Sequence, residues 1–128
     1  MFWALNMSKI ERIEILMVDL PPKVKRVDAI QSFESQETPI VKITDSDGAT
    51  GVGYSYTIGQ GGPAIMSLLE RTLLPKLIGR DPMQIEQIWR EMLFTTHATS
   101  VGAITSLALA AIDTALWDLR GKVAGQPV

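Results

Sequence analysis

Two short runs with apolar alternation flank Asp45-Ser46-Asp47-Gly48, a cluster with the chemistry of a tight turn. Pro39 to Thr44 precedes it, with Ile40 and then Val41 and Ile43 as apolar positions, and Ala49-Thr-Gly-Val-Gly-Tyr-Ser-Tyr56 follows at once. Strands joined by so short a turn form a hairpin, and hairpins are antiparallel. That excludes the parallel β-α-β unit on which a dinucleotide-binding fold is built. The exclusion matters because Gly59-x-Gly61-x-x-Ala64, just downstream, matches the loose form of the dinucleotide fingerprint. Asp81 has about the right offset for a ribose-binding acid, yet it precedes Pro82 and opens a helix instead of ending a strand. The glycines of this stretch are better explained as hinges of a loop, with Pro63 starting the helix that anchors it.

Upstream, Ile13, Ile15 and Met17 or Val18 alternate with charges from Ile10 to Leu20, the pattern of a strand exposed on one face, and Pro21-Pro22 ends it. Residues 21 to 32 carry Lys23, Lys25 and Arg26, show no period and read as a loop. After Pro63 the period becomes helical. Ile65, Leu68, Leu69, Leu73 and Leu77 form one stripe over residues 63 to 78. Asp81 as N-cap and Pro82 as first residue predict a second helix with Ile85, Ile88, Trp89, Met92 and Leu93 on its apolar face. A third helix is expected over about Val101 to Ala124, capped by Thr99 or Ser100, with Gly121 and Gly125 as stops. Its main face is Ile104, Leu107, Ala108, Ala111, Ile112, Ala115 and Leu119, and Leu109, Ala110 and Leu116 widen the stripe. A helix apolar around most of its girth is buried on several sides, so this one calls for more neighbours than the chain supplies. The fold class that follows is α+β, an antiparallel three-stranded meander followed by about three helices.

With 128 residues, 46% hydrophobic, the chain suits one core and one domain. Twelve Lys+Arg against 14 Asp+Glu give a net charge of -2, which offers no broad attraction for nucleic acid or an acidic membrane. Zero cysteines exclude disulfides, thiolate metal sites and a cysteine nucleophile, and the single His97 excludes a His-His metal pair. Phe2-Trp3-Ala4-Leu5 is too short for the core of a signal peptide, and no later segment approaches a membrane span. A soluble, cytoplasmic protein is the expectation. Met7-Ser8-Lys9 would make an ordinary start, so residues 1–8 read as an N-terminal extension and 9–128 as the domain.

No local constellation for chemistry emerges. Asp45-Ser-Asp47-Gly48 resembles the middle of a calcium loop, but Ile43 and Tyr54 would occupy its first and last ligand positions, and neither is a carboxylate. Asp113 and Asp118, five residues apart on a helix, point about 140° from each other and cannot share a ligand. Asp113 lies in an apolar stretch and is expected to have a structural partner, a backbone N–H or a basic group; Asp118 is expected to be exposed. His97, in a Thr-rich loop, reads as solvated or capping. Lys23, Lys25 and Arg26 either clamp an anion or are only solvated.

The succession of strands, DSDG turn, "GVGYSY" and helices, and above all Ala111-Ile-Asp-Thr-Ala-Leu-Trp-Asp-Leu-Arg-Gly-Lys122, resembles the N-terminal capping domain of the enolase superfamily, in the mandelate racemase/muconate lactonizing enzyme group. The likeness runs from about Ile10 to Val128. It implies a cap paired with a modified (β/α)8 barrel, in which a barrel base removes the proton α to a carboxylate and Mg²⁺ stabilises the enediolate. The implied substrates are small carboxylic or sugar acids, the implied reactions those of a dehydratase or racemase, and a homo-oligomer is expected. The metal ligands and the catalytic lysine or histidine belong to the barrel, so no catalytic, metal or cofactor-binding residue is expected in this chain. The chain stops at Pro127-Val128, near where a barrel of about 200 residues would begin. A cap without its barrel, inactive alone, is therefore expected, as a piece of a complete enzyme, a gene fragment or a natural stand-alone cap. The alternative is a module that self-associates through the face normally packed on the barrel. By resemblance, Pro21 to Ser32 and Tyr54 to Gly62 match the family's two specificity loops, which makes Lys23, Lys25, Arg26, Tyr54, Tyr56 and Thr57 the candidate substrate-facing residues. Strand alternation is also read as turning one of Tyr54 and Tyr56 inward.

Overall fold

A computed structural model describes residues 7–128; the first six residues of the N-terminal extension lie outside it. Strand β1 (Ile10–Asp19), β4 (Glu37–Asp45) and β5 (Thr50–Tyr54) form an antiparallel sheet in the order β1-β4-β5. The Asp45–Gly48 turn closes as its residues require. The Asp45 carboxylate accepts the Asp47 and Ala49 amides at 3.0 and 2.9 Å, while Gly48 takes a φ of 87°. Such a side chain mimics a backbone turn: one oxygen, Oδ1, takes both amides and fixes the hairpin.

Alternation sorts the strands into two faces. Ile43 pairs with Gly51 and Val41 with Gly53 on the inner face, where both apolar residues are fully buried. Ile40, expected to be the leading apolar position of its strand, pairs with Leu16 and Tyr54 on the outer face instead. Residues 21 to 32 are not one featureless loop. Arg26–Val27 (β2) and Ser32–Phe33 (β3) form a two-rung hairpin, turned by Asp28, whose carboxylate accepts the Ile30 and Gln31 amides at 2.7 and 2.9 Å. Those two amides, Gln31 first, hold the Asp28 carboxyl below its ordinary value.

The first helical segment begins as α1 (Gly62–Leu68) with Pro63 in its first turn, then widens into a π-turn over Leu69–Leu73 and tightens into a 3₁₀ turn over Leu74–Lys76. Ile65, Leu69, Leu73 and Leu77 are all buried. Their four-residue spacing would drift about 40° per step around a regular α-helix, and the wider π-turn takes up that drift. Pro75 has no N–H to continue the wider ladder, and the segment closes in the short 3₁₀ turn that contains it.

Helix α2 (Ile85–Thr95) starts three residues later than expected. Asp81 caps a separate turn: its carboxylate accepts the Met83 amide at 2.9 Å and its carbonyl the Gln84 amide at 3.2 Å. Helix α3 (Ala103–Ala124) follows Gly102, not Thr99 or Ser100, because those hydroxyls are spent on Thr96. It runs through Gly121 and stops at Gly125, which takes a φ of 67°. Ala108, Ala111, Ile112, Ala115, Leu116 and Leu119 are fully buried against the sheet and the other helices. A β-carbon on Gly51 would stand 2.1 Å from the Ala115 carbonyl oxygen, and one on Gly53 2.1 Å from that of Ala111. Glycine at these two positions lets β5 lie directly on the α3 backbone.

Candidate functional site

The end of the molecule beside α1 is built by two segments far apart in sequence. Leaving β1, the chain is held at Asp19, whose carboxylate accepts the Gln36 amide at 3.1 Å, and by the Leu20 amide on the Gln36 carbonyl at 3.0 Å. Between these points the β2–β3 hairpin projects as a closed excursion. After β5 the chain runs alongside it: the Thr57 amide bonds Glu37, the Gly59 amide bonds Ser35, and the Ser35 hydroxyl donates back to the Gly59 carbonyl. Gly59 and Gly61 carry φ of 105° and 117°, conformations that side-chain-bearing residues rarely hold. The glycines are thus turn-makers in a tied-down loop.

Together the segments enclose an open polar concavity of about 410 Å³, bounded by Ser32, Phe33, Ser35, Ile58, Gly59 and Gln60. Ser32 and Ile58 to Gln60 fall within the two loops matched by resemblance, Gly59 also within the glycine motif, but Phe33 and Ser35 lie outside both and nothing in the sequence pairs the two segments. A non-local pairing leaves no periodic mark, and the only clue was the glycine content of the second loop.

Glu37 organises the base of this region. Its carboxylate accepts the Gly62 amide at 2.5 Å, at the start of α1. The amide that a phosphate cradle would offer is already taken by an acid of the chain itself, which closes the dinucleotide reading on chemistry as well as topology.

Lys23, Lys25 and Arg26 are exposed on the arm of the excursion, without ion pairs among the described residues, and do not line the concavity. Tyr54 and Tyr56 are 60% and 44% exposed, so neither turns inward. Residues two apart on an extended chain share a face, and the inner positions go to Ser55 and Thr57. Thr57 is buried, its hydroxyl donated to the Gly59 carbonyl at 3.0 Å, which makes it an internal tie of the loop. His97 is exposed at the end of α2, where its amide bonds the Phe94 carbonyl.

The two aspartates of α3 exchange the roles expected of them. Asp118 accepts the Val52 amide at 2.8 Å and pairs with Lys122 at 2.8 Å, stapling the helix to β5. Lys122 first and Val52 second hold its carboxyl below the ordinary value. Asp113 is half-buried, and burial alone pushes its carboxyl up. Among the described residues no group of three or more His, Cys, Asp or Glu is arranged to hold a metal ion, so a divalent cation does not fit this chain's own donors. No described helix is long and apolar enough to cross a membrane.

Residues 12–128 match the mandelate racemase / muconate lactonizing enzyme N-terminal domain. A 3,6-anhydro-alpha-L-galactonate cycloisomerase of Streptomyces coelicolor is 38% identical over 93% of this chain and 33% of its own length. A D-mannonate dehydratase of Caulobacter vibrioides is 46% identical over 69% of this chain and 21% of its own. Among solved structures, an L-talarate/galactarate dehydratase from Salmonella typhimurium, liganded with Mg and L-lyxarohydroxamate, superposes with a TM-score of 0.87 at 28% identity, over 96% of this chain and 33% of that one. A Streptomyces coelicolor racemase with bound magnesium gives a TM-score of 0.86 at 38% identity, over 90% of this chain and 32% of that one. The chain spans about a third of the length of such relatives, which are enzymes. The antiparallel sheet, the helices behind it and these matches agree: the chain belongs to the mandelate racemase / muconate lactonizing enzyme family, through that family's N-terminal domain.

Proposed function

We propose that this chain is the lid of a Mg²⁺-dependent dehydratase or racemase acting on small carboxylic or sugar acids, and is inactive by itself. The observation that carries the reading is the bonding of two distant loops, Ser35 to Gly59, around one polar concavity. Loops tied in this way present a single preformed surface, which suits covering a ligand held by another part of a protein. The metal, when bound in such an enzyme, stabilises the charge that develops on the substrate carboxylate. This chain's residues do other work. The hydrophobic edge of Tyr54 and Tyr56 excludes water, Thr57 and Glu37 fix the loop that carries them, and Lys23, Lys25 or Arg26 supplies positive charge toward an anionic substrate. Cytoplasmic location and homo-oligomeric assembly complete the proposal.

The test replaces the N-terminal third of the 38% identical cycloisomerase with this chain. Exchange of substrate α-protons in D2O is then followed across a panel of sugar acids, with and without Mg²⁺. The chimera is expected to exchange and the isolated chain is not. Replacing Lys23, Lys25 and Arg26 together by alanine should raise KM more than it lowers kcat. A folded chimera that binds Mg²⁺ yet exchanges no acid in the panel overturns the lid reading.

A second reading, self-association, draws on the outer sheet face, where Leu16, Val52 and Tyr54 are exposed together. Light scattering that finds only monomer at high concentration removes it.

A further inference from the structure

Helices α2 and α3 do not fill the seam between them. Between α2 and α3 lie two adjoining concavities, about 430 Å³ bounded by Trp89, Leu93, Val101 and Leu109, and about 360 Å³ bounded by Ile85, Trp89, Arg90 and Trp117. Asp113 borders both. Its carboxylate has no hydrogen bond or ion pair among the described residues; Arg90 and Glu86 share the second concavity, with Arg90 beyond ion-pair distance. Arg120, the other cation nearby, stacks 5.3 Å from the Trp117 ring centroid. A half-buried carboxylate between two indoles is an unfavourable arrangement by itself and a favourable one around a cation.

We propose that the α2–α3 groove docks a polypeptide surface that presents an arginine among apolar side chains, its guanidinium entering between Trp89 and Trp117 to meet Asp113. The proposal is independent of the lid reading, since it concerns a different face. Charge complementarity sets the cation. Arginine fits better than lysine because a planar, weakly hydrated guanidinium stacks on aromatic rings while bonding a carboxylate in its plane. The length of the groove sets the polypeptide. Both concavities are open and follow α3 from Leu109 to Trp117, about 12 Å of helix, which is a strip for a packed element and not a closed pocket for a free ion.

The experiment titrates the full chain with Nα-acetyl-arginine amide and, separately, with its neutral isostere Nα-acetyl-citrulline amide, following the indole N–H signals of Trp89 and Trp117 by NMR. Saturable shifts at both indoles are expected, with citrulline at least about tenfold weaker, or about 1.4 kcal/mol. Asp113→Asn should abolish that preference while the remaining spectrum stays native. Asp113→Leu is the second variant, and Arg90→Gln should leave the preference intact. Equal response to both probes, no saturable shift, or an arginine preference that survives Asp113→Asn overturns the proposal. Dimerisation through the groove that Asp113→Asn abolishes would assign it to a second copy and overturn the partner named here.

Discussion

Helix α3 meets β5 through its backbone and meets α2 through side chains, and the two contacts have opposite characters. Against β5, Gly51 and Gly53 admit the Ala111 and Ala115 carbonyls to distances no β-carbon tolerates, and Asp118 closes the seam by accepting the Val52 amide. Against α2, Trp89 and Trp117 stand partly exposed around a carboxylate that bonds nothing described. One side is completed by the chain; the other is open. The lesson is that a helix apolar around most of its girth can serve two masters, with its small residues fixing the fold and its large ones left for something outside it.

The largest expected effect breaks the closed side. Gly53→Ala or Gly51→Ala puts a methyl group into backbone atoms that belong to the core helix and cannot swing away. Overpacking of that kind should cost about 3 kcal/mol or more. Urea unfolding of each variant measures it, and a loss near that of an exposed glycine-to-alanine change at a strand end would show that the sheet and helix can separate without cost. An intermediate effect is expected at Asp118. Asp118→Ala leaves the Val52 amide without its acceptor and should cost about 1 to 2 kcal/mol. Asp118→Asn keeps an acceptor and loses only the partly exposed Lys122 pair, so it should cost about 1 kcal/mol or less and become milder in high salt. Because the folded carboxyl is held below its ordinary value, its contribution is present above the ordinary carboxylate value of 3.8 and lost as pH falls through the lowered folded one. Wild type and Asp118→Asn should therefore converge in stability at low pH.

How much of this was legible depends on whether the cause is local. The Asp45–Gly48 turn, the apolar face of α2 and the small-residue row of α3 declare themselves because turn chemistry and helical period act over a few residues. The bonding of Ser35 to Gly59 does not, because nothing near either residue marks the other. The π-turn was hidden differently: a stripe at every fourth residue looks helical until the drift it implies is added up. Tyr54 and Tyr56 are legible, since a separation of two fixes one face, and an inward turn for just one of them runs against that rule. For the aspartates, their angular separation was available but not its origin. The glycine pair opposite Ala111 and Ala115 held that information, because it marks the side of the helix on which β5 lies and where Asp118, one turn beyond Ala115, finds an amide.

The smallest expected effect sharpens the open side, and it has the opposite sign. Burial raises the Asp113 carboxyl above its ordinary 3.8, with no partner drawing it down. The folded protein thus holds this proton more tightly than the unfolded chain, so the group favours folding below the ordinary value, and that advantage is lost as pH rises through the raised folded one. At neutral pH the ionised carboxylate is a liability. Asp113→Asn should therefore stabilise the isolated chain at pH 7 by less than about 1 kcal/mol, an effect kept small by the solvent that still reaches the group. The gain should shrink toward zero as the pH drops below 4. Thermal unfolding of wild type and variant across that range reads it directly. A variant that is less stable at pH 7 would mean that Asp113 has a partner within the chain, most simply Arg90 swung across the groove, and that the face is as complete as the one against β5. A variant that is more stable at neutral pH and indistinguishable in acid would mean that the carboxylate is kept at a cost to the fold, which places the reason for it outside the fold.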